Sequence, residues 1–317
     1  MLITQHRQTA KNPLKEILMI GIGKQYPLDD SFKKAARFHQ SQYRANVLQL
    51  ECNEYGSKLT EPDAKALHNY FDGLNVKRAL RKRYSGDSIS RDGDMLRSEH
   101  IPFNMLAPLR TDPSLAKHII KTAFGMESDA PYKIKIEFAP KPKGDYLNDA
   151  TSFDTFISFT DRQGKKTGIG IEVKYTERGY PIGKTEKQNV ENIKSPYWQV
   201  TRKSSAVLDV DNPRLHCDDL RQIWRNHLLG LSMCQLSPDN ENKLDDFYSI
   251  ILYPSGNKHF DKVIPEYQSY LNEPWRQKVF GCTYERYIQA IEGNEEILRW
   301  KQYLSDRYLV PCIAELY

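Results

Sequence analysis

The 317-residue sequence has few cysteines, and their arrangement predicts neither a disulfide framework nor a zinc site. The five cysteines are odd in number, widely separated and never arranged as CxxC, at Cys52, Cys217, Cys234, Cys282 and Cys312. His216 precedes Cys217, but one adjacent pair is more often used in packing than in zinc binding. A reducing, cytoplasmic environment fits this cysteine usage.

Long apolar runs and internal repeats are also lacking. No apolar run approaches the roughly eighteen residues of a membrane span, and no signal peptide is evident. Hydrophobic residues make up 39% and charged residues 27% of the chain, with a mean hydropathy of -0.67. This composition predicts a folded globular protein with a polar surface rather than a disordered chain.

The net charge of +5 is mild, so its distribution says more than its sum about nucleic-acid binding. One basic cluster fills five of seven consecutive positions with Lys77, Arg78, Arg81, Lys82 and Arg83. These side chains are enough to neutralise several phosphates if that face meets DNA. A solvated helix face is the alternative interpretation of such a charge run.

Two runs in the middle of the chain alternate apolar and polar residues and predict a β-hairpin. They are FDTFISF at 153–159 and GIGIEVKY at 168–175, joined by the turn-forming DRQGKK. Side chains repeat every two residues along a strand, so Glu172 and Lys174 share one face. A fold-back centred near Gly164 predicts that Asp154 lies opposite Lys174 and diagonal to Glu172.

Asp154, Glu172 and Lys174 together indicate a metal-dependent phosphodiesterase site. Mg²⁺ prefers one or two carboxylates plus water and substrate phosphate, and Asp154 with Glu172 supplies that minimum, with Mn²⁺ as a substitute. The Lys174 ammonium would orient the attacking water or offset charge on the phosphate. A cross-strand ion pair on a solvated sheet face is the alternative for Glu172 and Lys174.

The tripeptide of acid, any residue and lysine is weak evidence by itself, because it occurs elsewhere in the chain. Asp63-Ala64-Lys65 lies in a polar helical stretch and Glu241-Asn242-Lys243 in a loop-like stretch. Neither has flanking apolar alternation or an upstream strand that carries a second acid. Only Glu172-Val173-Lys174 has both.

On Asp154 and Glu172-Val173-Lys174 the sequence resembles the PD-(D/E)XK nuclease superfamily, the restriction-endonuclease-like enzymes. That resemblance implies an α/β fold with a mixed four-stranded central sheet flanked by helices, in the order helix, three strands, helix, strand. A comparable series runs from about Ser114 to Pro254. The resemblance also implies a metal-dependent DNA endonuclease, in a bacterial branch whose members resemble restriction or phage-defence components.

The other core elements follow from periodicity. KIKIEF at 133–138 alternates and is the predicted first strand, and FYSIILY at 247–253 is the predicted fourth. Glu137, near the end of the first strand, is the predicted third acid, which could bind a second ion, bridge through water or be a surface charge. Asp145 and Asp149 in the following loop are weaker candidates.

A helix is predicted from Cys217 to Cys234, with one apolar stripe that includes Trp224. In the resembled family the helix after Glu-X-Lys packs beside the site, so Gln222 or Arg225 could contact phosphate; a structural hydrogen bond or ion pair is the alternative. Two segments, 85–94 and 177–198, are polar and rich in Gly, Ser or Pro, and predict irregular loops.

The whole chain is predicted to be one elaborated nuclease domain. Its parts are a mainly helical region at 1–110, the nuclease core at 111–260 and C-terminal helices at 261–317. The expected partner is nucleic acid, foremost double-stranded DNA, without a membrane; a homodimer or a defence-system partner protein is open. A catalytically inactive DNA-binding module and an RNA- or structure-specific nuclease are the alternative functions.

Overall fold

A mixed five-stranded sheet forms the centre of the protein, as seen in a computed structural model that describes residues 21–161 and 163–311. The strands lie in the order β1-β2-β3-β4-β5, with β1–β2–β3 antiparallel and β3–β4–β5 parallel. Their bounds are Lys133–Phe138 (β1), Phe153–Thr160 (β2), Lys166–Val173 (β3), Asp246–Tyr253 (β4) and Val279–Thr283 (β5). The predicted mixed α/β fold is confirmed.

The sheet has five strands, whereas four were predicted. The additional strand is β5, which pairs with β4 from Ser249–Val279 to Tyr253–Thr283. It has only five residues, VFGCT, and its burial does not alternate regularly. Such a segment carries no two-residue period, so the sequence gives no strand signal there.

The predicted hairpin of β2 and β3 is present, but its register differs by two residues. Thr155 pairs with Ile171, so the next position along places Asp154 opposite Glu172 and not opposite Lys174. The turn sets this register, because the Asp161 backbone N–H donates to Lys165 O at 3.0 Å and Gly164 adopts a left-handed φ of +81°. The fold-back is therefore centred on residue 163.

Helices cover both faces of the sheet and surround the central strands. Those of eight or more residues are Ser31–Gln42 (α1), Val76–Arg83 (α2), Pro113–Thr122 (α3), Lys184–Glu191 (α4), Pro196–Ser204 (α5), Arg221–Cys234 (α6), Phe260–Ser269 (α7) and Glu295–Tyr308 (α8). Shorter α-helices lie at Glu61–Lys65, Ile89–Gly93, Ile101–Met105, Trp275–Lys278 and Tyr284–Gln289, and a π-helix at Tyr43–Leu48. Helices joined by irregular segments and two isolated β-bridges make up residues 21–110, and residues 1–20 lie outside the described part.

Each face of the sheet has its own apolar core. On one face, Ile171 and Val173 of β3 and Leu252 of β4 pack with the N-terminal and C-terminal helices around Trp300. On the other face, Phe247 and its neighbours pack against α6. Gly230 of α6 allows this close approach, because a Cβ there would lie 2.1 Å from the Phe247 ring.

The segment that follows β3 is held firmly, which fixes the position of Lys174. The Lys174 backbone N–H donates to Leu252 O at 2.8 Å, so the pairing with β4 continues past the end of β3. Asn257 Nδ2 donates to Tyr175 O at 2.9 Å, and Gln40 Nε2 of α1 donates to the Tyr175 hydroxyl at 2.9 Å. The N-terminal region therefore packs directly against the strand end that carries the predicted site.

Two predicted loops contain helices. Segment 85–94 includes the helix Ile89–Gly93, where buried Arg91 pairs with Asp92, and segment 177–198 includes α4 and the start of α5. Among the described residues, the cysteines Cys52, Cys217, Cys234 and Cys282 are free thiols, while Cys312 lies outside them. In this part of the chain no helix combines the length and apolar character needed to cross a membrane.

Candidate active site

Three carboxylates form a row across three neighbouring strands at one end of the sheet. The β1–β2 pairs Ile136–Thr155 and Phe138–Phe153 bracket Glu137 and Asp154, and the β2–β3 register places Asp154 beside Glu172. The row therefore runs Glu137, Asp154, Glu172. Adjacent strands lie about 5 Å apart, which is the separation that lets neighbouring carboxylates interact strongly.

Asp154 is the central acid of the row. Its Oδ2 accepts a hydrogen bond from the Val173 backbone N–H at 2.6 Å, which fixes the carboxylate against the end of β3. Burial raises the pKa of Asp154 well above its usual value, and the negative charges of Glu172 and Glu137 raise it further. The surroundings of Asp154 therefore favour its protonated form.

Glu172 is held by three donors from two elements. Its Oε1 accepts from Lys174 Nζ at 2.7 Å and also from Gln222 Nε2, and its Oε2 accepts from Asn226 Nδ2 at 2.6 Å. Gln222 and Asn226 are four residues apart on α6 and therefore lie on the same helix face. The helix that covers the sheet thus orients the acid of the Glu-X-Lys tripeptide.

Lys174 is buried, with only 5% of its surface exposed. Burial by itself would lower the pKa of its ammonium, but the carboxylates of Glu172, Glu177 and Asp154 together raise it. The side chains of Glu172 and Lys174 are 13% and 7% exposed, so their ion pair is not on a solvated sheet face. The alternative of an ion pair on a solvated sheet face is therefore wrong about the exposure of the pair.

Glu137 has an unusual backbone and a perturbed carboxyl group. Its φ of +53° is left-handed, a conformation that non-glycine residues adopt mainly where the surroundings impose it. Burial raises the pKa of Glu137 to about 7, the Arg83 charge opposes this rise, and the charges of Glu172 and Glu99 add to it. A carboxyl group in this range can exchange a proton near neutral pH.

The basic cluster of the sequence lies in α2, and three of its five residues lie in the last turn of that helix. Arg83 Nε donates to Glu137 O at 3.1 Å, so the end of α2 touches the row of acids. Lys77 pairs with Asp72 at 3.1 Å and Arg81 with Asp87, and these contacts lie on the protein surface. Arg78, Arg81, Lys82 and Arg83 are exposed. The helix therefore presents positive charge close to the site.

Of the two predicted phosphate contacts on α6, one joins the site and one pairs elsewhere. Gln222 donates to Glu172, as described above. Arg225 Nη1 pairs with Glu186 Oε2 of α4 at 3.1 Å, and the buried Arg221 pairs with the same carboxylate at 2.9 Å. Asp149 accepts from the Tyr197 hydroxyl at 2.6 Å, which gives this weaker candidate a structural partner.

Sequence reasoning did not select Asn226, although its spacing from Gln222 could have identified it. A helix that packs on the sheet brings positions i and i+4 to one neighbour, so a polar pair at that spacing on a mainly apolar helix marks a contact. Glu177 and Glu186 were also missed. Their roles depend on contacts with distant segments, and nothing in their local sequence signals them.

The oxygen donors of the site are compatible with a divalent cation. Among residues 21–161 and 163–311 no three His, Cys, Asp or Glu side chains are grouped so as to hold a metal ion by themselves. Mg²⁺ characteristically takes one or two carboxylates and completes its shell with water and phosphate, which Asp154 and Glu172 can satisfy. The amide oxygens of Gln222 and Asn226 are buried beside them without a hydrogen-bond partner. They can accept from a coordinated water shell.

An open cleft of about 700 Å³ leads to these residues. Asp154, Glu172, Lys174 and Gln222 line its floor, and side chains from the N-terminal region, among them Lys58 and Arg97, line other parts of it. Glu137 and α2 lie beside this floor rather than in the lining. The cleft is large enough for part of a polymeric substrate.

A comparison with protein families finds a match over most of the chain. The family model described as PD-(D/E)XK nuclease superfamily matches residues 27–310, which includes the row of acids, α2 and α6. No curated protein and no solved structure matches the chain.

Proposed function

Because the chain belongs to the PD-(D/E)XK nuclease superfamily, we propose that it is a metal-dependent DNA endonuclease that hydrolyses phosphodiester bonds at Asp154, Glu172 and Lys174. The observation that carries this proposal is the convergence of a buried ammonium with carboxylates from adjacent strands on the floor of one cleft. Membership implies a nuclease that acts on nucleic acid; DNA as the substrate, Mg²⁺ as the cofactor and the residue roles are proposals.

Asp154 and Glu172 are the residues that would hold the cation, which when bound polarises the phosphate and lowers the pKa of coordinated water. Gln222 and Asn226 fix the Glu172 carboxylate, so that the geometry is set before substrate arrives. Lys174 places a positive charge where negative charge develops on the phosphate and can orient the attacking water. Glu137 lies next to Asp154 and is suited to accept a proton or to hold a second ion.

The basic helix α2 supports a nucleic-acid substrate near the site. Arg83 contacts the Glu137 backbone, and its exposed neighbours can contact successive phosphates beside the bond that is cut. Double-stranded DNA is the substrate to test first, with RNA as the alternative, because phosphate chemistry does not report the sugar. A role in restriction or phage defence in the cytoplasm is the corresponding biological hypothesis.

Cleavage assays with matched variants test this proposal. The full chain is incubated with linear and supercoiled DNA and with RNA, in Mg²⁺, Mn²⁺ or EDTA. Glu172→Ala and Lys174→Ala should each lower the metal-dependent rate by about 100-fold or more, the usual effect of removing one transition-state contact. Glu241→Ala is the control, because Glu241 belongs to the unrelated Glu241-Asn242-Lys243 tripeptide and is exposed.

The outcome separates an enzyme from a binding module. If cleavage persists in both Glu172→Ala and Lys174→Ala, the proposed site is wrong. If the protein binds DNA, loses no metal affinity on Asp154→Asn and cleaves nothing, it is a DNA-binding module on a nuclease fold. Loss in Glu172→Ala and Lys174→Ala with full activity in Glu241→Ala supports the proposal.

A further inference from the structure

The cleft that contains Asp154 and Glu172 also contains two exposed aromatic side chains. Among the Phe, Trp and Tyr residues of the described ranges, only Tyr26 and Tyr180 are exposed, each at 39%. Both line the cleft with Asp154, Glu172 and Lys174. The sequence has 35 aromatic residues, and elsewhere in the described chain they are buried or half-buried, so two exposed rings in one cleft require an explanation.

Tyr26 is held in place by Arg37, whose own side chain is fixed by an ion pair and a hydrogen bond. The Arg37 guanidinium lies 5.8 Å from the centre of the Tyr26 ring. Arg37 is itself fixed, because its Nε pairs with Asp29 Oδ2 at 2.5 Å and its Nη1 donates to Ser57 Oγ at 3.1 Å. The Tyr55 ring packs edge-on against Tyr26 with centroids 5.9 Å apart. The ring is thus positioned while much of its surface remains open.

Tyr55 brings positive charge to the same wall of the cleft. The amino groups of Lys24 and Lys58 lie 5.1 Å and 5.4 Å from the centre of its ring. The loop that carries Tyr55 is joined to the segment before Tyr26, since the Gly56 backbone N–H donates to Lys24 O at 2.9 Å. A Cβ at Gly56 would lie 1.9 Å from Ile22 O, so the two segments meet more closely than any other residue would allow.

Tyr180 lies next to Lys174 on the floor of the cleft. Its ring centre is 5.2 Å from the Arg225 guanidinium and 5.8 Å from Lys174 Nζ. The position of its backbone is independent of the ring, because Arg221 Nη2 donates to Tyr180 O at 2.9 Å. A substitution of the Tyr180 side chain therefore leaves this anchor in place.

We propose that Tyr26 and Tyr180 stack on unpaired bases, so that the strand to be cut enters the cleft with nucleotides that are not base-paired. The proposal rests on the proposed nuclease function and specifies its substrate class. Bases inside a duplex already stack on their neighbours and offer no free face to a protein ring. Aromatic rings beside cationic groups are the characteristic way in which proteins bind single strands, with bases on the rings and phosphates on the cations.

Binding measurements by fluorescence anisotropy test this proposal with the full chain in EDTA, where cleavage is stopped. The probes are a labelled single strand, a duplex of the same sequence with a short unpaired region, and the fully paired duplex. Tyr26→Leu and Tyr180→Leu should each weaken binding of the first two probes by about 5- to 100-fold, the usual worth of one stacked base. Binding of the paired duplex should change less than about 2-fold.

Phenylalanine and a distant tyrosine provide the controls. Tyr26→Phe and Tyr180→Phe keep the ring and should bind like the wild type, which a role of the hydroxyl or of general packing would not predict. Tyr270→Leu replaces a half-buried tyrosine of the surface beyond α7, outside the cleft lining, and should have no effect. Thermal unfolding of each variant identifies any variant that is destabilised. If a Leu variant is destabilised, the Phe variants decide whether the aromatic ring contributes to binding.

The results distinguish failure of this inference from failure of the nuclease proposal. Equal losses on paired and unpaired probes, losses in the Phe variants, or no loss in either Leu variant would overturn the stacking role. If the wild type cleaves and Glu172→Ala does not, the nuclease proposal stands even when stacking fails. If the wild type neither binds nor cleaves any nucleic acid, the proposed function itself is wrong, and with it the substrate class.

Discussion

Glu137→Gln is expected to stabilise the protein at alkaline pH although it removes a residue of the site. Burial raises the pKa of Glu137 from 4.5 to about 7, and the charges of Glu172 and Glu99 contribute to the rise. At about 1.4 kcal/mol for each pKa unit, this rise makes the ionised carboxylate cost about 3 to 4 kcal/mol of folding free energy. Glutamine has nearly the same shape and carries no charge, so it avoids that cost.

The pH dependence gives the sign of the effect. Between pH 4.5 and about 7 the folded chain holds a proton on Glu137 that the unfolded chain releases, so wild-type stability falls as the pH rises through this window. Above it both states are ionised and the full cost applies. Glu137→Gln should therefore raise the unfolding free energy by about 3 to 4 kcal/mol at pH 8.5 and by less than about 1 kcal/mol at pH 5.

Urea unfolding of the full chain in EDTA measures this directly, since EDTA removes any cation that would neutralise the acids. The gain is read from the transition midpoint at pH 5 and at pH 8.5 with the slope unchanged. Glu51→Gln, an exposed glutamate outside the cleft lining, should change stability by less than about 0.5 kcal/mol at both pH values. A gain that is the same at both pH values, or a loss at pH 8.5, would mean that the ionised Glu137 carboxylate does not destabilise the fold.

Three other perturbations test the support around the site. Asn226→Ala removes the 2.6 Å contact with Glu172 Oε2 and should weaken metal affinity about 10- to 100-fold in calorimetric titration, whereas unchanged affinity would mean that Asn226 does not orient the acid. Mn²⁺ should bind more weakly at pH 6 than at pH 8, because burial raises the pKa of Asp154 and of Glu137. Calorimetric titration in buffers of different ionisation enthalpy should detect the protons that binding releases. If no protons are released, these two acids are not the groups that bind the ion. Arg81→Glu with Lys82→Glu should lower DNA affinity and the salt dependence of binding, by a slope of about 0.9 per lost phosphate contact, while an unchanged slope would make α2 a solvated surface.

The central hairpin could be predicted because its signal is local. Alternating residues in 153–159 and 168–175 define two strands, and one strand face then carries Glu172 and Lys174. The predicted register was wrong by two residues because the register depends on which residues close the turn. The Asp161 carboxylate closes the turn by accepting hydrogen bonds from the backbone N–H groups of Gln163 and Lys165. The alternation of apolar and polar residues does not reveal that Asp161 has this role.

The elements that were missed depend on distant partners. Strand β5 exists because the edge of β4 is available for pairing, and the helix Ile89–Gly93 because the buried Arg91–Asp92 pair and the Tyr70 hydroxyl hold it. Neither has a periodic sequence of its own. The cleft wall around Tyr26 is a further case, since Tyr26 and Tyr55 are 29 residues apart in sequence and meet only in the folded chain.

The strand residues of the candidate site could be selected from sequence, and its helical residues less readily. Asp154, Glu172 and Lys174 belong to a two-residue period that predicts a shared face, whereas the contribution of α6 requires knowledge of which face of the helix meets the sheet. Gln222 was selected and Asn226 was not, although both donate to the same carboxylate. The contacts of a helical residue depend on which element packs against its face of the helix, and the fold determines that element.

A crystal structure of the protein soaked with Mn²⁺ would show which residues bind the cation, because the anomalous signal locates the ion without assumptions about its ligands. We expect a peak on the floor of the cleft, with one oxygen each of Asp154 and Glu172 within about 2.5 Å of it and Lys174 alongside. A fully occupied ion bound elsewhere, with Asp154 and Glu172 uncoordinated, would contradict this expectation.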